Sequence, residues 1–157
     1  MHNFSEMPDI LKTDILSYKF DIFWQSNDEL INLDPRPVFV ASTAFQPNSP
    51  EEEQLIKMLS ACRLDASSFH VMQLQPESQI AFHLLKDHLQ LKSIILLGIS
   101  PIQLGVSAYL MPHQLSRFGN CNWIVTESLK TLLERPEIKT HLWQYGLKPA
   151  FVDQVYG

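Results

Sequence analysis

Residues 93–99 read SIILLGI, a continuous apolar run bounded by polar residues. A run this short with no alternating polar positions has no face left for water. It therefore suits a strand covered on both sides, and such strands belong to parallel sheets with helices above and below. Three other short stretches have the same character, at residues 37–43, 68–74 and 122–126, and β-branched and aromatic side chains recur in them.

Helical signals separate these runs. Ser49-Pro50-Glu51-Glu52 combines a capping serine, a proline at the first helical position and a glutamate placed for a capping box. Leu55, Ile56, Met58 and Leu59 then supply the buried face of a helix expected to end near Arg63. Pro76 and Ser78 introduce a second helix, with Ile80, Phe82, Leu84, Leu85 and Leu89 as its apolar positions. Residues 128–135 and 137–145 read as two more helical pieces separated by Pro136. Between residues 100 and 119 the pattern weakens, and residues 106–110 are the segment there that reads as a short strand. Strands and helices in this alternation predict right-handed crossovers: an α/β three-layer α/β/α sandwich with a mostly parallel central sheet of about four strands.

The chain of 157 residues has the length of one domain. Residues 36–157 carry the α/β pattern, and residues 1–35 form a separate N-terminal helical and aromatic segment. In that segment Ile10, Leu11, Ile15, Tyr18 and Ile22 lie near helical spacing. Tyr18, Phe20, Phe23 and Trp24 crowd more aromatic surface than one helical stripe buries. This makes them a candidate partner interface, since aromatics dominate interface hot spots.

The net charge is −5, and the lysines at 12, 19, 57, 86, 92, 130 and 139 are scattered singly. Non-specific nucleic-acid affinity comes from clustered cations neutralising phosphates, so this distribution argues against direct nucleic-acid binding. The N-terminal stretch has no basic region followed by an apolar run, and no apolar stretch reaches the length of a membrane span. The expectation is a cytoplasmic protein with no membrane association.

Ligands of parallel sheets bind beyond the carboxyl ends of the strands, which places a pocket near Thr43, Phe45, Gly98, Ser100, Thr126, Glu127 and Ser128. The loop after the first run, Ala44 to Asn48, lacks the glycines of a dinucleotide fingerprint. His83 and His88 lie five apart on one helix, where a single-face metal pair needs four, and His113 has no carboxylate beside it. Cys62 and Cys121 belong to no C-x-x-C pair and read as buried reduced thiols, although spacing alone leaves a disulfide between them open. No cofactor and no metal are expected.

The stretch from Trp123 to Trp143 resembles the C-terminal part of the uracil-DNA glycosylase superfamily. In that family a strand delivers a catalytic-loop histidine, followed by leucines, a proline, a lysine and a final helix. Aligning Thr126, Pro136 and Lys139 puts Ser128 where the histidine would stand, with Leu129 and Lys130 in the next two places and Leu132 and Leu133 at the structural leucines. The family's other catalytic residue is an acid in the loop after the first strand, and here residues 43–48 hold none; Glu51 and Glu127 are the nearest. The resemblance therefore implies the family's scaffold without its catalytic residues.

A scaffold of this kind without the catalytic site also resembles the psi subunits of bacterial DNA polymerase III clamp loaders, through Ser128, Leu129, Leu132, Pro136, Leu142 and Trp143. That resemblance implies a protein-binding subunit in DNA replication, with a clamp-loader-like complex as partner. The alternatives are a divergent DNA glycosylase and a nucleobase- or nucleotide-binding protein that uses the remaining pocket.

Overall fold

The computed structural model describes residues 33–77 and 79–156. The candidate interface of Tyr18, Phe20, Phe23 and Trp24 lies outside the described residues, as does Ser78, expected at the start of the second helix. The elements run β1 (Val38–Ser42), α1 (Pro50–Ala61), β2 (Phe69–Gln73), α2 (Phe82–Leu89) and β3 (Ser93–Leu97). A 3-10 turn (Pro101–Leu104) leads on to β4 (Leu115–Phe118), β5 (Cys121–Thr126), α3 (Leu129–Glu134) and α4 (Pro136–Leu142). A wide π-type helical segment (Trp143–Val152) closes the fold.

The sheet has the order β2-β1-β3-β5-β4. Four strands are parallel, with Val38 level with both Phe69 and Ser93, and Ser93 level with Asn122. Side chains alternate between two cores. Phe39, Ala41, Ile94, Leu96 and Trp123 face α2 and the 3-10 turn. Val38, Val40, Ile95, Leu97 and Ile124 face α1, α3, α4 and the wide helix. Both faces of the sheet are thus covered by helices, as the apolar runs require. Cys62 and Cys121 are free, buried and on opposite faces, so the sheet itself rules out a bond between them.

The sheet gains a fifth strand, β4, which pairs antiparallel with β5 from Leu115↔Ile124 to Phe118↔Cys121. The strand expected at residues 106–110 is absent, and that stretch is irregular. The hairpin comes from Gly119 and Asn120, both at positive φ (59° and 61°), the two-residue turn geometry whose twist matches that of the flanking strands.

Helix ends follow local chemistry. Ser49 Oγ accepts from Glu52 N at 3.2 Å, and Glu52 Oε1 accepts from Asn48 N at 2.6 Å, one residue earlier than a reciprocal box requires. Ile80, expected on the second helix, precedes it and donates its N–H to Gln103 O at 2.7 Å, while Leu84 lies on the exposed side. Pro136 opens α4 at a position where the missing N–H has no helical partner to lose.

Candidate functional site

At the carboxyl edge of the sheet the backbone is tightly packed around Gly98. Gly98 follows β3 at φ +77°, and its N–H donates to Thr126 O at 3.0 Å. A Cβ at this position would stand 3.0 Å from Ser128 Cβ and 3.1 Å from Thr43 Cγ2. Two of the expected pocket residues, Thr43 and Ser128, therefore flank a third, Gly98, so closely that a methyl group there would force one of them to shift.

The others have structural partners. Phe45 N donates to Gln73 Oε1 at 3.2 Å, and its ring packs toward the α1 core. Ser100 Oγ caps the 3-10 turn by accepting from Ile102 N at 3.3 Å. Ser128 caps α3: its Oγ accepts from Thr131 N at 3.3 Å and donates to Thr131 Oγ1 at 3.1 Å. Glu127 is exposed, and its charge acts on the Arg135 guanidinium, whose pKa is raised chiefly by its hydrogen bond to Glu137. Glu51 lies in the first turn of α1, where a carboxylate suits the positive end of the helix.

Two groups at this edge acquire surroundings that the sequence reading did not anticipate. His113, at φ 64°, donates its backbone N–H to Val125 O at 2.8 Å, and its Nδ1 lies 2.8 Å from Thr126 Oγ1. The His141 ring meets His113 edge-on at 6.3 Å between centroids and Tyr145 at 4.6 Å. Nothing in the local pattern links residue 113 to 141, because the hairpin and the α4 docking bring them together. The second group is Glu52, which is 4% exposed, and its Oε2 has no hydrogen-bond partner among the described residues. Its capping role was legible, but its burial depends on α1 packing against α3.

This edge can offer an imidazole–hydroxyl pair, His113 with Thr126, in which either group donates according to the tautomer. No carboxylate is hydrogen-bonded to that imidazole among the described residues, so the arrangement lacks the third group that orients a catalytic base. Among the described residues no cluster of three histidine, cysteine or acidic side chains is placed to hold a metal ion. His88 instead meets Leu33 O through Nε2 at 3.1 Å, and His83 is exposed. Burial pushes the Cys62 thiol up to about 12 and raises Cys121 as well, which leaves both as poor nucleophiles.

Apolar surface is concentrated elsewhere. A cleft of about 660 Å³ between the start of α2, the 3-10 turn and β4 is lined by the buried Ile80, Phe82, Leu104 and Val106, by Phe118, and by Gln79, His83 and Ser107. On the same connection Ile102, Tyr109 and Met111 remain 69%, 81% and 50% exposed. Among the described residues no helix is long and apolar enough to cross a membrane. In comparisons with known proteins, the chain matches no family model and no curated protein sequence.

Proposed function

We propose that this chain is a non-catalytic, protein-binding subunit built on a uracil-DNA-glycosylase-like scaffold and that it serves a replication complex of the clamp-loader kind. The observation that carries the reading is the junction at Gly98. Thr43 and Ser128 leave no space for a Cβ there, at the edge where an enzyme of this architecture would seat its substrate. The binding half of the reading draws support from Ile102, Tyr109 and Met111, which lie exposed on a single connection. Tyrosine is a common hot-spot residue, and methionine adapts to varied partners.

A single-turnover assay on uracil-containing single- and double-stranded oligonucleotides, at enzyme in excess over DNA, tests the first half. The expected outcome is no base release. The second half is tested by gel filtration with purified clamp-loader subunits, where co-elution is expected and weakens on Tyr109→Ser with Met111→Ser. The His113–Thr126 pair favours one competing reading, a divergent glycosylase. Base release that disappears on His113→Ala or Glu127→Gln would establish that reading and end the non-catalytic one.

A further inference from the structure

The cleft at the opposite, amino edge of the sheet carries an assignment independent of the proposed function. It measures about 480 Å³ and lies between the starts of β1, β3 and β5, the residues after α1 and the C-terminal segment. Its lining includes Arg63, Lys92 and Arg117 and contains no Asp or Glu. In a chain with a net charge of −5 this is a local concentration of cations that one-dimensional spacing concealed. None of the three forms an ion pair with a carboxylate among the described residues; the pairs present are Arg36–Asp34, Arg135–Glu137 and Lys148–Asp153.

Arg117 is preorganised. Its guanidinium lies over the Tyr156 ring at 4.7 Å, and its Nη1 donates to Asn122 Oδ1 at 3.0 Å. Asn122 Nδ2 in turn donates to Ser93 Oγ at 3.3 Å. A fork held in this way loses little freedom when it grips a second anion, and guanidinium geometry matches phosphate in bidentate fashion. The backbone does not compete for the role: the N–H groups of Val38, Ser93 and Asn122 donate to Ser68 O, Pro37 O and Lys92 O. Recognition here belongs to side chains.

We propose that this cleft binds a small nucleoside phosphate, with the phosphates between Arg63, Lys92 and Arg117 and the base toward Tyr156. The volume falls in the range of small-molecule sites, roughly 300–1,000 Å³, and is short for an extended strand or peptide. Tyr156 is 55% exposed, and with Arg117 over one face of its ring a base would meet the other face or the ring edge. Free phosphate shares part of this chemistry but makes no use of the aromatic wall.

The test is isothermal titration of the full chain at low ionic strength with ADP, adenosine, inorganic phosphate and a short acidic peptide. ADP is expected to bind at least about tenfold more tightly than phosphate, with adenosine undetectable. The double variant Arg63→Gln, Lys92→Gln should lose about tenfold or more in ADP affinity, because each substitution removes one charge-assisted contact. Lys57→Gln with Lys130→Gln makes the same charge change outside the cleft and should leave affinity unaltered, which separates a site from a general field. Arg117→Gln keeps an amide for Asn122 and should also weaken ADP. The assignment is overturned by no heat with millimolar ADP, by equal ADP binding in the Arg63/Lys92 variant, by phosphate binding as tightly as ADP, or by a peptide that binds where ADP does not.

Discussion

Gly98 shows how much can rest on one residue. It combines a left-handed backbone with neighbours at 3.0 and 3.1 Å from where a Cβ would stand. Gly98→Ala should therefore cost about 2–4 kcal/mol, the sum of backbone strain and forced repacking, read as a lower urea midpoint with unchanged slope. His70 makes a different prediction. It is buried beside β1, its Nε2 lies 2.9 Å from Asp34 O, and its Nδ1 has no partner among the described residues. Burial pushes its pKa below the ordinary 6.5, against the opposing effect of the Asp34 carbonyl. The folded protein then holds fewer protons at this site than the unfolded chain below pH 6.5. The stability it contributes is complete above that pH and is lost as pH falls through the lower folded value. Thermal melts from pH 7.5 down to 5 should show this decline, and His70→Gln should flatten it.

Helix ends and the hairpin turn show which element-level features can be read locally. Ser49, Pro50 and Glu52 announced α1 because capping is settled within four residues, and Ser49→Ala should cost about 1 kcal/mol in chemical denaturation. The turn Gly119-Asn120 was equally local, since that dipeptide between apolar neighbours is a hairpin signal. It passed unrecognised because β4 (Leu115–Phe118, LSRF) is only half-buried and lacks the apolar run that marked the other strands. Of the wide helix, only residues 143–145 fell within a helical expectation. Pro149 inside it would end an ordinary helix, whereas here the segment runs on to Val152 with Asp153 N donating five residues back to Lys148 O at 2.9 Å.

Across the whole molecule, stability should be graded by position in the sheet. β1 and β3 are hydrogen-bonded on both sides and shielded by helices on both faces, whereas β4 is an edge strand with exposed Arg117 and Phe118. Native-state hydrogen exchange should find amides of β1 and β3 opening only with global unfolding and those of β4 opening earlier. Cys62 and Cys121 report the same event chemically: buried with raised pKa, they should react with a thiol reagent only as the domain unfolds.

The sequence by itself determined the strands β1, β2, β3 and β5, the helices between them and their parallel arrangement. A run such as Ile94 to Leu97 can be satisfied only with cover on both faces, and that requirement is written in consecutive residues. Only the tertiary structure decided what lies at the two edges of the sheet. Thr43, Gly98 and Ser128 pack together at one edge although 55 and 30 residues separate the first two and the last two in the chain. Arg63, Lys92 and Arg117 gather at the other, and His113 reaches Thr126 through a hairpin. Periodicity records how each segment meets water, whereas contacts between distant segments follow from how the layers stack.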